Sequence, residues 1–158
     1  MKSSLDTSLL ASLLKEHKTP FYFYSRKTLE NTINEIKKAF AVEDFQLLFA
    51  TMANDNPEFL ETIAANNVGA CINSIRHFKL AAACGIAPEK IQFTSTGLGT
   101  EDMAVLQKAG VAVNFDSLNQ LRQWFQLKWG GKAGVRINTA SLTDKVPVVD
   151  RLGIEKEQ

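Results

Sequence analysis

Short apolar segments alternate with helical stretches along most of this chain, and that alternation limits it to a fold built from βα units. The segments are Phe45–Ala50, Ala70–Ser74, Ile91–Ser95, Val111–Phe115 and Gly134–Asn138, with first residues 25, 21, 20 and 23 positions apart. Helical periodicity fills the intervals at Pro57–Asn67, Ile75–Cys84, Thr100–Ala109 and Leu118–Lys128. Gly69, Gly85, Gly110 and the Gly130-Gly131 pair fall just past those helices, where a left-handed C′ residue is expected. Strands alternating with helices at so short a period run parallel, joined by right-handed crossovers. Open sheets and closed barrels both meet this pattern. The even period, and the lack of a glycine-rich phosphate loop after the first strand, favour the barrel. The expected fold class is α/β, with parallel βα repeats forming part of a (β/α)8 TIM-like barrel over residues 41–158. Closure needs eight strands, and the tail from Val146-Pro147-Val148-Val149 to Gln158 has no pattern for three more. An open arc leaves parallel edges unpaired. The expectation is therefore that the chain is part of a longer protein or that another chain completes the sheet.

Residues 1–40 read as a separate lead-in. Leu5, Leu9, Leu10, Leu13 and Leu14 lie at helical spacing in a short amphipathic helix ending near His17. Thr19-Pro20 stops it, and Phe21-Tyr22-Phe23-Tyr24 reads as a compact aromatic strand. Ser25 caps a second helix with Leu29, Ile33, Ile36 and Phe40 on one face, and Lys37-Lys38 complements its dipole.

Composition excludes several function classes. A net charge of +1 with scattered lysines and arginines gives no basic stripe for nucleic acid. No apolar run approaches a membrane span, and Met1-Lys2-Ser3-Ser4 is not followed by an apolar signal region. Cys71 and Cys84 make neither a disulfide framework nor a metal site. A soluble, cytoplasmic protein is expected, and 45% hydrophobic residues supply a globular core.

Chemistry is sought at the C-terminal ends of the strands, where α/β proteins keep their active sites. After the first strand comes Thr51-Met52-Ala53-Asn54-Asp55-Asn56-Pro57, in which Asn56 suits an N-cap, Pro57 the first helical position and Glu58 the positive end of the dipole. Met52 stands in the chemically prominent place and is neither acid, base nor nucleophile.

The segment Phe49-Ala50-Thr51-Met52-Ala53-Asn54-Asp55-Asn56 resembles the Tyr-Ala-Val-Lys-Ala-Asn-x-Asn motif of the fold-type III pyridoxal-phosphate decarboxylases, which act on diaminopimelate, ornithine, arginine and carboxynorspermidine. The resemblance is collinear from about Thr19 onward. Thr19-Pro20-Phe21-Tyr22-Phe23-Tyr24 is similar to the family's Thr-Pro-x-Tyr-Val-Tyr, and Pro88–Gly97 to its Pro-Glu-Arg-Ile-x-Phe-Thr-Gly-Asn-Gly. Asn114-Phe115-Asp116-Ser117 resembles Asn-Val-Asp-Ser, and Val135-Arg136-Ile137-Asn138 resembles Leu-Arg-Val-Asn. Asp150-Arg151-Leu152-Gly153-Ile154 echoes the Ser-Lys-Phe-Gly-Ile that precedes the next strand.

The resemblance implies an alanine-racemase-like N-terminal barrel domain and amino-acid decarboxylation, in which an imine lets the coenzyme accept the electrons left by carbon dioxide. It places Met52 where the family has its Schiff-base lysine, and Ala50, Asn54, Cys71, Ser74, His77 and Arg136 at cofactor-facing positions. Two of these depart from the family: Cys71 replaces an aspartate and His77 a glutamate. A thioether forms no imine, so pyridoxal phosphate is the family's cofactor, but covalent binding is not expected in this chain. Natural divergence and a deliberate Lys→Met change both account for Met52, with Cys71 and His77 favouring divergence. Three functions follow as expectations. One is a catalytically degenerate relative acting as a binding or partner subunit, in a homo-oligomer or with a decarboxylase or complementing chain. The second is an inactivated or incomplete part of a working decarboxylase. The third is a non-covalent site for the coenzyme or a small amino acid, held by Arg136 and the βα turns.

Other residues admit plainer readings. Cys71 and His77 are a possible nucleophile–base pair or a buried thiol and a helix-start histidine. Thr94–Gly99 is an anion-binding loop or a simple turn. Trp124 and Trp129 belong with Leu121 and Phe125 to a core or interface face. The Glu155-Lys156-Glu157 cluster is ordinary solvated charge.

Overall fold

The structure, a computed structural model, describes residues 7–40, 45–94, 96–127, 130–138 and 153–154. The chain divides into two compact units, Met1–Glu43 and Asp44–Gln158. The first unit holds helices α1 (Thr7–Glu16) and α2 (Arg26–Ala39). Ser25 caps α2, its Oγ accepting from the Thr28 amide at 3.2 Å, and Ile33 is buried. Two expectations change in this unit. Phe40 forms the C-cap and is exposed, so it does not extend the apolar stripe. Residues 21–24 form no strand: Tyr22 and Tyr24 stack with centroids 6.3 Å apart, and Tyr22 is 89% exposed. A strand's preference for aromatics comes from packing against neighbouring strands, and no strand is described within this unit.

The second unit is a consecutively wound, all-parallel sheet. Its strands are β1 (Leu48–Ala50), β2 (Gly69–Ile72), β3 (Ile91–Thr94), β4 (Ala112–Phe115) and β5 (Ala133–Val135), hydrogen-bonded in that order. Between them lie α3 (Pro57–Ala65), α4 (Ile75–Ala83), α5 (Thr100–Ala109) and α6 (Leu118–Gln126). Parallel strands in simple sequence order are the arrangement of a barrel segment rather than of a doubly wound sheet, whose order reverses at a switch point. The fold is a partial (β/α)8 barrel.

Alternation along each strand separates two faces. One face meets the helices: Ile72, Phe93 and Val113 stand side by side in register and are fully buried. Phe49 packs on Phe59 of α3 at 5.1 Å, and Phe115 on Trp124 of α6 at 5.4 Å. Leu60, Ile63, Met103 and Leu106 complete this core from α3 and α5. The other, inner face carries Ala50, Cys71, Gln92 and Ala112 in register, then Thr94, Asn114 and Gly134. Small and polar residues predominate there.

Element ends depart from the sequence reading in informative ways. β1 starts at Leu48 instead of Phe45, because the ladder to β2 begins where Gly69 N–H reaches Leu47 O at 2.9 Å. Gly69 is not a helix C′ residue. Asn67 takes the left-handed conformation (φ 55°), and Gly69 opens β2. A Cβ on Gly69 would lie 2.1 Å from the Lys90 carbonyl oxygen and 2.6 Å from Leu48 Cδ2, so close strand approach explains this glycine. Gly85 and Gly110 are left-handed as expected, at φ 87° and 77°. β5 is shorter than anticipated, but the sheet continues past it. Ile154 bridges Ile137 in parallel, donating to Arg136 O at 2.8 Å and accepting from Asn138 N at 2.9 Å. The resemblance puts Gly153-Ile154 just ahead of a further strand, and here Ile154 itself makes an isolated parallel bridge. The expectations for Ser95, Lys128, Trp129, the 146–149 run and Glu155–Glu157 lie outside the described residues. No helix among those described is long and apolar enough to cross a membrane.

Gly69→Ala is expected to cost about 3 kcal/mol, the top of the overpacking range, since the obstacle is backbone. Gly85→Ala, which meets no atom within 4 Å, should cost about 1 kcal/mol from its φ alone. Urea unfolding of the two variants measures the difference, and equal midpoints would contradict the packing argument.

Candidate functional site at the barrel mouth

Every βα turn opens at the C-terminal end of the sheet, so the mouth gathers residues 51–56, 73–74, 96–99, 116–117 and 136–138. Thr51 anchors the first turn. It is buried, and both its N–H (3.0 Å) and its hydroxyl (3.1 Å) donate to the Cys71 carbonyl, continuing the β1–β2 ladder. Ala53 N–H then returns to Ala50 O at 3.0 Å, closing a turn around Thr51 and Met52. Met52 sits at the tip and is 47% exposed. Sequence reading treated Thr51 only as part of a motif, because a threonine after a strand gives no sign of a double bond to one carbonyl.

The loop after Met52 is held by its own polar residues. Asn54 Oδ1 accepts from Asn56 N at 3.1 Å, and Asn56 Oδ1 accepts from Glu58 N at 3.0 Å, capping α3. Ser74 caps α4 in the same way, its Oγ accepting from His77 N at 3.2 Å. Asn54 and Ser74 therefore spend these oxygens on local structure. Between the two helix starts lies an ion-pair network. Arg76 Nη1 donates to Asp55 Oδ2 at 2.6 Å, and His77 Nε2 is 3.8 Å from the same oxygen. His77 Nδ1 is 2.8 Å from Asn73 Oδ1. Asn73 and Asp55 stand before the two imidazole nitrogens, and the half-buried Cys71 belongs to the inner face beside Ala50 and Gln92. Arg76 was not singled out from the sequence. Its partner is 21 positions away, and only the adjacency of β1 and β2 brings the two together.

Farther along the mouth, Asn114 Nδ2 donates to Thr94 Oγ1 at 3.1 Å across β3 and β4. Gly134 leaves room for that carboxamide, since a Cβ there would lie 2.2 Å from Asn114 Oδ1. The turn at Gly97–Gly99 faces the Gln120 carboxamide. With its amide oxygen turned inward, Gln120 of α6 accepts from Leu98 N (2.8 Å) and Gly97 N (3.1 Å). Arg136 is exposed past β5, and its backbone belongs to the ladder through Phe115 O and Ile154 N. Trp124 is core, whereas Phe125 is 70% exposed. No group of three or more metal-ligating side chains occurs among the described residues. The described lysines of this unit lie away from the mouth: Lys79 within α4, Lys90 and Lys132 ahead of β3 and β5, and Lys108 in the last turn of α5.

The hydrogen bond and positive charge of Arg76 hold the Asp55 carboxyl below its ordinary 3.8. A carboxyl whose folded-state value lies below its unfolded one stabilises above the ordinary range, and that contribution is lost as pH falls through the folded-state value. An NMR titration of the Asp55 carboxyl should therefore give a midpoint below 3.8, rising toward 3.8 in Arg76→Gln. A wild-type midpoint at or above it would contradict the pairing.

Comparison with known proteins places this geometry. Residues 26–153 match the pyridoxal binding domain of the pyridoxal-dependent decarboxylases. The chain is 32% identical over 113 residues to a diaminopimelate decarboxylase of Archaeoglobus fulgidus, covering 72% of this chain and 26% of that protein. It is 26% identical over 120 residues to the Thermoplasma acidophilum enzyme of the same name, covering 76% and 30%. The chain thus spans less than a third of the length of these curated relatives. Among solved structures, a Helicobacter pylori diaminopimelate decarboxylase complexed with L-lysine aligns with a TM-score of 0.72 at 25% identity, over 85% of this chain and 36% of that one. The arginine decarboxylase of Paramecium bursaria Chlorella virus bound to agmatine shares the fold, with a TM-score of 0.79 at 24% identity over 95% and 41%.

Proposed function

The chain belongs to the pyridoxal-dependent decarboxylases through their pyridoxal-binding domain, and on that premise we propose that it keeps the family scaffold without the covalent chemistry, acting as a binding or partner subunit. One observation carries the reading. The turn after β1, where the resemblance places the coenzyme's lysine, presents Met52, and the described lysines of the unit lie away from the mouth. The coenzyme's decarboxylation chemistry begins with an exchangeable imine to an amine, and methionine supplies none. The residues present therefore do not fit a lysine-linked coenzyme, and no step is derived through one. Cys71 and His77, in place of two acidic groups of the family motif, extend the divergence beyond a single position.

The partner role draws on the inner face. Strands of parallel sheets are normally covered on both sides, yet Cys71, Gln92 and Asn114 on the inner face are only half-buried, and on the opposite face of the last strand Val135 and Ile137 are exposed. A decarboxylase-family chain or a second copy of this chain would cover them. Light scattering on the eluting species should give a mass above 17.5 kDa. A monomer with one cooperative unfolding transition would contradict the partner role.

The intact frame around Met52 favours a second reading, an inactivated portion of a working decarboxylase. Thr51 still pins the turn, and the Asn56 cap still starts α3. The ligand class would then be a basic amino acid such as those named for the relatives, with Arg136 as a candidate contact for its carboxylate. Pyridoxal 5′-phosphate added at equimolar amount to the wild-type chain should give no stoichiometric imine absorbance band. A band would overturn the main reading. If Met52→Lys alone creates one, the second reading gains; if it does not, the divergence has reached the rest of the mouth.

A further inference from the structure

We propose that Asp55 and Arg76 form a clasp that holds the first two βα turns together at the mouth, a constraint supplied by side chains instead of by a bound molecule. The proposal rests on side-chain geometry alone, so it stands or falls separately from the reading of position 52. Asp55 lies in the turn between β1 and α3, and Arg76 in the first turn of α4, so their 2.6 Å contact ties two loops that the sheet ladder leaves at Thr51 and Ile72. Each anchor point is itself fixed. The Asn54 carboxamide spans Asp55 by accepting from Asn56 N–H, Asn56 caps α3 through Glu58 N–H, and Ser74 fixes the turn bearing Arg76 through the His77 amide. His77, braced on Asn73, faces the same Asp55 oxygen from 3.8 Å. One carboxylate thus sits before two α4 side chains, with Met52 three residues upstream.

The clasp is exposed: the Arg76 and Asp55 side chains are 71% and 42% accessible. An exposed pair contributes little to global stability and is screened by salt. Its effect is local, narrowing the motion of residues 51–56 relative to the start of α4. An exposed pair held by a single contact is expected to change local opening by about two- to five-fold.

The experiment is NMR-detected hydrogen exchange on the full chain, following the amides of Ala53, Asn56, Glu58 and His77. The buried-strand amide of Val113 serves as control. Asp55→Asn and Arg76→Gln should each speed exchange at the four mouth amides by about two- to five-fold, leaving Val113 unchanged. The double variant should exchange no faster than either single one, because both remove the same contact. The charge-swapped pair Asp55→Arg with Arg76→Asp should return rates toward wild type, and added salt should move wild type toward the variants. Single variants that leave the mouth amides unchanged would overturn the proposal. So would additive effects, or a swapped pair as fast as the double variant. A variant that also speeds Val113 would show a global role and overturn the local clasp.

Discussion

Burial of one face of the parallel sheet against its helices is the constraint on which the rest of this structure depends. Ile72, Phe93 and Val113 lie side by side facing α3 to α6, with Phe49 and Phe115 locked to Phe59 and Trp124. Because side chains alternate with a period of two, a slip of one residue would exchange the faces. Gln92 and Asn114 would enter the core, and Phe93 would leave it. The apolar contacts therefore set the register, and the register sets which residues reach the mouth. Met52 stands where it does because Leu48 pairs with Gly69 and Ala50 with Cys71, which brings Thr51 onto the Cys71 carbonyl.

Much of this was legible in the sequence, for physical reasons. Apolar runs bounded by turn residues gave the strands to within a few positions, and serine or asparagine ahead of a helical period gave the caps at Ser25 and Asn56. These signals are local, so they survive in a single sequence. What escaped notice depends on contacts between distant residues. Gly69 looked like a helix terminator because glycine usually serves that need, but its lack of a side chain answers the Lys90 carbonyl of the next strand. Asn67 took the left-handed place instead. Phe21–Tyr24 had strand composition, but its unit holds no strand among the described residues. Arg76 gave no local signal, because its partner Asp55 is brought to it only by the adjacency of two strands.

The mouth combines well-ordered βα turns with a particular set of side chains. Its backbone devices are those that order a βα turn: a pinned threonine, Asx bonds and helix caps. Its side chains are a thioether, a thiol, a carboxamide–hydroxyl pair across β3 and β4, and a charge cluster satisfied from within. Such a surface can recognise polar groups and keep neighbouring turns in place. It offers no amine for an imine at the position where the resemblance puts one. The likeness to diaminopimelate and arginine decarboxylases explains the scaffold, and the proposal of lost covalent chemistry rests on Met52, Cys71 and His77 at the positions where the resemblance puts a lysine and two acids.

The most direct measurement is borohydride reduction of the chain with pyridoxal 5′-phosphate, followed by peptide mapping by mass spectrometry. Reduction traps any imine permanently at the lysine that formed it. The account predicts only fractional labelling spread over exposed lysines such as Lys79 and Lys108. One lysine modified completely, at equimolar coenzyme and ahead of all others, would contradict it.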